Sequence, residues 1–425
     1  MVYTETLLSL GIAMAAGLLV SRFVKLFKLP AVTGYLIAGI LVGPYCLGLL
    51  GIEGLGFTSA QSVKSNEIIC DVALGFIAFA IGNEFRLSQV KSIGKQAAII
   101  GVFQALVATL FVDVALIAIH FAVPDKLSVA AAITLGAIAT ATAPAATLMV
   151  VRQYKAKGKL TDLLLPIVAL DDAIGLVVFA VSFGIAKALQ SGTVSVVSVL
   201  VEPMAEVICS LLLGTVLGVL FSAAEKYFKS NSKRLTLSVT FVIITVALSM
   251  FEFNIGGVKV GFSSLLVCMM LGTVFCNLCD FSAEIMAKTD KWTAPLFLLF
   301  FVLSGAELEF NVFGDLTVVI IGIVYILTRA AGKYLGAGWS AKAVKCEPDI
   351  VKNLGLTLFP QAGVALGMSV TVQELGDCGT LIRNITLFAV LIYELVGPMI
   401  TKTALIRSGD IIPKTVTNIG DFDDE

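Results

Sequence analysis

Two aspartates stand side by side in the apolar run Leu164-Leu165-Pro166-Ile167-Val168-Ala169-Leu170-Asp171-Asp172-Ala173-Ile174-Gly175. An ionisable group at the centre of a bilayer costs roughly 2.5–3.5 kcal/mol on insertion scales, so acids in such a run point to function. Adjacent residues on a helix point about 100° apart. One carboxylate can therefore face a cavity while the other faces a neighbouring helix. A carboxylate held away from water can take up a proton, or release it and bind a cation, and that competition is the chemistry of an exchanger. The competing reading is structural, with one aspartate pairing to a base so that the chain can fold. Only two basic residues, Arg329 and Lys333, stand inside apolar runs. Arg329 lies near the middle of its run and Lys333 one turn further on. Two acids set against one base leave net negative charge, which attracts a cation rather than an anion.

The elements that must hold these charges follow from composition. Apolar residues make up 58% of the 425 residues and charged residues 14%, more apolar surface than a water-soluble domain can hide. A helical crossing needs about 20 apolar residues. The runs predict an all-α polytopic membrane protein with thirteen spans, over 4–21, 30–50, 67–85, 96–121, 127–151, 161–186, 195–222, 235–252, 260–279, 292–306, 315–341, 353–375 and 384–401. The connecting segments alternate in basic content. Of the 29 Lys and Arg, 22 fall in one set of connections, and only Lys64, Lys126, Lys187, Lys259 and Arg383 fall in the other. The basic-rich side is expected to be cytoplasmic. That puts the N-terminus outside and the C-terminus inside; the plasma membrane is the expected location.

With thirteen spans, two six-helix repeats (spans 1–6 and 8–13) can run in opposite orientation about span 7. The expected membrane domain covers residues 1–403, followed by a short cytoplasmic tail, 404–425. Inverted repeats with helices broken at matching positions build one site reachable from either side. Span 5 holds Ala139-Thr140-Ala141-Thr142-Ala143-Pro144, and its counterpart, span 12, holds Phe359-Pro360-Gln361-Ala362-Gly363. Proline removes a backbone donor, and threonine hydroxyls can bond backbone oxygens. Pro144, Pro360 and Gln361 are thus expected at breaks that cross at mid-membrane. Glu394, near the middle of span 13, is expected to bond the loose backbone of a broken helix.

Other ionisable residues carry less. Asp113, Glu202 and Glu206 lie nearer the outer ends of their spans and are expected to be wet vestibule residues. His120 sits at the outer end of span 4, so pH dependence is expected from the carboxylates instead. Cys276 and Cys279 form a C-x-x-C without the second pair or histidine cluster that a zinc set needs. No cofactor and no nucleic-acid partner are expected, and no nucleophile constellation points to an enzyme. The first run has no basic residues before it and no small-residue cleavage site after it, so it is expected to be a retained helix. Two rivals remain in other classes. A sodium-coupled organic-solute symporter with a similar inverted-repeat fold is opposed by the paired acids, and a cation channel by the lack of a filter-like loop.

Four segments resemble the monovalent cation–proton antiporter superfamily, in its bacterial branch of Kef-like and sodium/proton exchangers. They are Pro30-Ala31-Val32-Thr33-Gly34-Tyr35-Leu36-Ile37-Ala38-Gly39 with Gly43-Pro44, Phe79-Ala80-Ile81-Gly82-Asn83-Glu84-Phe85, Thr140 to Pro144, and Ala169-Leu170-Asp171-Asp172. The resemblance runs from about Leu29 to Pro398. It implies alternating-access exchange of Na⁺ or Li⁺, with K⁺ as a further candidate, for H⁺ by a homodimer in the lipid bilayer. Carried over by position, Asp172 is the ion-binding carboxylate and Asp171 the partner of a base in a Lys/Arg-x-x-Gly context. Thr140 and Thr142 would lend oxygens to a hard cation. Both Arg329-Ala330-Ala331-Gly332 and Lys333-Tyr334-Leu335-Gly336 fit that context, and Arg329, closer to mid-depth, is the expected partner. An arginine cannot readily release a proton, which would remove the base from the proton count. The chain departs from the family pattern at Ala143, where some relatives carry an acid before the proline. It departs again at Gln361, where many place an arginine-glycine pair. The cytoplasmic nucleotide-binding domain of Kef-like members is absent from this sequence, which argues against ligand-gated potassium efflux.

Overall fold

The computed structural model describes residues 2–26, 31–52, 55–87, 94–143, 147, 150–151, 154–190, 201–255, 258–308 and 314–411. Pro30, Pro144 and the tail beyond Ile411 lie outside these, and the side chain of Asp172 lies outside the described side chains. The main helices are α1 (Val2–Lys25), α2 (Ala31–Val42), α3 (Glu67–Glu84), α4 (Lys95–Ala122), α5 (Val129–Ile138), α6 (Lys159–Gln190) and α7 (Glu202–Glu225) in the first part of the chain. They continue as α8 (Asn231–Ser249), α9 (Ser264–Leu278), α10 (Ser282–Ala306), α11 (Leu316–Ala343), α12 (Pro348–Asn353), α13 (Gly363–Thr371) and α14 (Asp377–Arg407). A short antiparallel hairpin, Phe253–Ile255 with Val258–Val260, is a small departure from the expected all-helical chain.

Each of the thirteen expected segments holds a helix or a helix pair. Among the described residues, eight helices are individually long and apolar enough to cross a membrane: α1, α2 with the turn after it, α4, α6, α7, α8, α11 and α14. The pair Pro348–Leu358 and Gly363–Leu375, bent by 48°, makes nine if taken as one span. Large apolar side chains such as Leu19, Leu110, Leu212 and Leu327 point outward from these helices, as a lipid-facing surface requires. The chain is a multi-pass membrane protein.

Packing divides the helices into two bundles. In the first, α2 lies against α1 and α10, and α9 against α3 and α7, with α8 filling the side. Phe79, Phe221 and Phe275 meet where α3, α7 and α9 converge, with 4.3 Å between the ring centroids of Phe221 and Phe275. Gly82 and Gly272 let α3 and α9 touch backbone to backbone: a Cβ on Gly82 would stand 1.8 Å from the Met269 carbonyl oxygen. The second bundle holds α4, α5, α6 and α11 to α14, and its closest pairing is α11 along α4.

Polar contacts between connecting segments fall into the two sets foreshadowed by basic content. At one end, Lys159 pairs with Glu347, Thr161 donates to Asp410, Arg86 to Ser282 and Gln96 to the Val344 carbonyl. At the other, Lys126 pairs with Asp315, Lys187 reaches Glu206 and Glu374, and Arg383 pairs with Glu307. Among the described residues, the ion pairs that cross between bundles, Arg383–Glu307 and Lys187–Glu206, both lie at the basic-poor end. Glu307 also accepts a hydrogen bond from Gln373 Nε2 at 3.1 Å.

Arg383 and Glu307 are almost wholly buried, so breaking the pair strands a charge. Arg383→Leu is expected to cost about 3–5 kcal/mol and Arg383→Leu with Glu307→Leu much less. Melting of the detergent-solubilised protein measures both; equal losses from single and double variants would contradict the pairing.

Candidate functional site

α5 stops at Ile138, and the chain runs on without helix through Ala141 to Ala143. Opposite it, α12 tightens into a 3-10 turn over Leu354–Leu358, and residues 359–362 are non-helical before α13 begins at Gly363. The two breaks touch: the Ala143 N–H donates to the Pro360 carbonyl at 2.9 Å. A helix end leaves its last four carbonyls without intrahelical donors. Here the covalent chemistry explains part of that, because the donor for Thr140 would come from residue 144, a proline with no N–H. The donor for Ala139 would be Ala143, which bonds across the gap instead.

Side chains reach all four carbonyls from Ile138 to Ala141, the first of which also accepts from the Ala141 N–H at 3.2 Å. Gln361 Nε2 donates to Ile138 O at 3.0 Å, Arg329 Nε to Ala139 O at 3.1 Å, Lys333 Nζ to Thr140 O, and Arg329 Nη2 to Ala141 O at 2.6 Å. Arg329 Nη1 reaches the other break, donating to Phe359 O at 2.8 Å. One planar fork thus holds both interruptions, which a lysine could not do. Tyr393 of α14 lies under the guanidinium at 4.4 Å and anchors its hydroxyl on Ile326 O. Tyr325 completes the support by accepting from Gln361 at 3.1 Å. Positive charge at the C-terminal end of α5 also complements the helix dipole.

The expected pairing of Asp171 with Arg329 does not occur. Lys333 Nζ makes that ion pair, at 2.7 Å from Asp171 Oδ2, with both side chains fully buried. The physical reason is that three backbone oxygens already claim the arginine fork. Thr142 Oγ1 donates to the same Oδ2 and accepts from Lys333 at 3.0 Å. Gln104 Nε2 of α4 donates to Oδ1 at 2.6 Å. Thr140 stands beside them, but its hydroxyl donates to Ala137 O at 2.6 Å. Both threonine hydroxyl protons are therefore committed within the protein. Asp172 follows Asp171 on α6, next to a carboxylate whose two oxygens are taken.

Glu394 also departs from expectation. It is buried on α14, accepts from Thr33 Oγ1 at 3.3 Å, and leaves Oε1 without a partner. Among the described residues it bonds no backbone group of the breaks; Tyr393, its neighbour, stacks on the Arg329 guanidinium that joins them. Gln104, Tyr325 and Tyr393 were not singled out from the sequence. Only a helical register that placed α4 and α11 face to face could have found Gln104. That contact depends on Gly332 and Gly336: a Cβ on Gly336 would stand 2.9 Å from Gln104 Cα, and one on Gly332 2.7 Å from Ala108 Cα. The glycines of the two consecutive Lys/Arg-x-x-Gly runs bring α11 against α4.

A cavity of about 490 Å³ opens between the bundles at the basic-poor end, lined by Glu67, Asp71, Glu206, Glu374, Lys187 and Phe179. Phe179 lies seven residues beyond Asp172 on α6, about 10 Å along the axis. Glu206 belongs to this vestibule but is itself largely buried.

A transmembrane family model described as sodium/hydrogen exchanger matches residues 10–407. The chain belongs to the sodium/hydrogen exchanger family. Among its relatives is the Na⁺/H⁺ antiporter NhaS4 of Synechocystis sp. PCC 6803, 23% identical over 366 residues, covering 84% of this chain and 85% of that protein. A Na⁺/H⁺ antiporter of Enterococcus hirae is 24% identical over 396 residues, 90% of this chain and 93% of its own. The fold matches the solved structure of the sodium proton antiporter MjNhaP1 from Methanocaldococcus jannaschii, with a TM-score of 0.74 at 17% identity, over 97% of this chain and all of that one.

Removing Lys333 leaves Asp171 as an uncompensated buried charge, so Lys333→Leu is expected to cost about 3–5 kcal/mol, most of it regained in Lys333→Leu with Asp171→Asn. Arg329→Lys retains charge but loses the fork; orphaning a buried carbonyl costs roughly 1–3 kcal/mol, so this substitution too should lower the melting temperature. An unshifted melt for Arg329→Lys would show that the breaks do not depend on the guanidinium.

Proposed function

We propose that the chain exchanges a monovalent cation for protons by alternating access, with Asp172 as the carboxylate that binds proton and cation in turn. One observation carries this assignment. Both oxygens of Asp171 are engaged, by Lys333 and Thr142 on one and Gln104 on the other, so the adjacent acid on α6 is the one left to the ion. The family and its Na⁺/H⁺ antiporter relatives support the exchange itself. Na⁺ and Li⁺ are the preferred candidates and K⁺ a further one. Thr140 and Thr142 lend oxygens through lone pairs, since their hydroxyl protons are committed. The acid-rich cavity at the basic-poor end draws cations toward α6. Nothing in the site favours the organic-solute symporter.

The remaining architecture is part of the same proposal. Residues 1–403 form two inverted six-helix repeats, the second carrying the broken pair α12–α13 opposite the break after α5. The basic-rich face is cytoplasmic, with the N-terminus outside and the C-terminus inside the plasma membrane, and the working unit is a homodimer. The two-bundle packing supports a movement of α4–α6 and α11–α14 against the rest.

Lysine at the Asp171 pair changes the proton count. Unlike arginine, it can release a proton, and a cation arriving at the adjacent Asp172 disfavours the charged ammonium and drives that release. A second proton per cation makes the exchange electrogenic, worth about 2.3 kcal/mol per charge per 100 mV.

The test is dye-reported proton movement in proteoliposomes, with Na⁺, Li⁺ or K⁺ added in turn. Wild type should respond and Asp172→Asn should not; equal responses from both would remove Asp172 from the mechanism. A clamped membrane potential should change the wild-type rate but not that of Lys333→Arg.

A further inference from the structure

Gln104 has no role in joining the breaks, and it is fully buried in α4. Its Nε2 is shared between Asp171 Oδ1 at 2.6 Å and Gly101 O, in its own helix, at 3.0 Å. Its Oε1 is buried without any partner. An orphaned buried oxygen opposes folding, and an apolar side chain of the same length would avoid it. Stability alone therefore does not account for an amide here. What the amide supplies is a donor aimed at the one oxygen of Asp171 that neither Lys333 nor Thr142 occupies. The close packing of Gly336 over Gln104 Cα fixes that donor in place.

We propose that Gln104 is a positioning residue for the exchange: by occupying Asp171 Oδ1 it holds that carboxylate on Lys333 and denies it to the transported cation. The ion then meets one available carboxylate of the adjacent pair instead of two. This rests on the reading of Asp172 as the ion-binding acid. Two carboxylates on one small cation hold it more strongly than one and slow its release. A stronger anionic field also favours the smaller ion, Li⁺, over K⁺. Gln104 on this view keeps binding weak enough for turnover and sets the preference among cations.

The experiment compares wild type, Gln104→Met and Gln104→Asn in proteoliposomes, at alkaline pH where proton competition is smallest. Methionine keeps the length without the donor; asparagine keeps the amide but falls one methylene short. Steady-state KM and kcat are measured for Na⁺, Li⁺ and K⁺, normalised to protein that elutes as folded. Both variants are expected to lower the KM for Na⁺ by roughly tenfold, the scale of one hydrogen bond to a charged group, and to lower kcat with it, with the largest effect on Li⁺. A merely structural role would reduce the folded fraction and leave KM per folded molecule unchanged. An unchanged or raised KM in both variants overturns the proposal. If one variant fails to fold, the other decides. Asp172→Asn run alongside separates the two ideas: transport surviving that substitution defeats the underlying reading, whereas its loss together with a wild-type KM in the Gln104 variants defeats only the role given to Gln104.

Discussion

A helix that stops within a bilayer leaves backbone carbonyls with no water to satisfy them, and the whole neighbourhood of α5 is organised around that constraint. Four consecutive oxygens, from Ile138 to Ala141, receive donors from Gln361, Arg329 and Lys333. Two bases one turn apart on α11 divide the work. The arginine provides geometry, since its planar donors reach three carbonyls across both interruptions. The lysine provides contact with Asp171, since its compact ammonium reaches a carbonyl, a hydroxyl and a carboxylate together. One base thus serves the scaffold, and the other pairs with Asp171.

This division also resolves the charge balance. Two acids and two bases within a few residues would be formally neutral and poor at attracting a cation. Arg329, however, faces carbonyl dipoles and an aromatic ring, which offset its charge locally. The electrostatics near α6 are then set by Asp171, Asp172 and Lys333, and the balance stays negative. The arginine is effectively part of the backbone.

Much of this could be read in advance, because membrane residence imposes strong patterns. Segment positions followed from apolar length, and the sorting of connecting segments into two faces followed from lysine and arginine counts. Pro360 marked one break, and the Thr140–Pro144 run marked the other. The choice between Arg329 and Lys333 was not legible: both satisfy the same spacing, and depth along α11 says nothing about which carbonyls compete for a guanidinium. Glu394 misled for a related reason, since a buried acid in a plausible position carries no mark of its direction, and here it turns to Thr33. Gln104 was invisible because its role arises from the contact of α4 with α11, which depends on two glycines more than two hundred residues away. Tyr325 and Tyr393 read as ordinary apolar-run residues until the fork of Arg329 and the amide of Gln361 are seen beside them.

The close seating of α11 on α4 has a thermodynamic consequence. With Gly332 and Gly336 against the α4 backbone, and α6 tied to both through Asp171, these three helices have little freedom to slide past one another. Asp171, Lys333 and Gln104 are therefore held as one rigid unit, which the proposed bundle movement would carry whole. Under the proposed alternating access, a site carried intact would bring the same ligands to each compartment. Such a machine has no preferred direction of its own: it is a reversible balance whose sense of flow is dictated by the two ion gradients it connects.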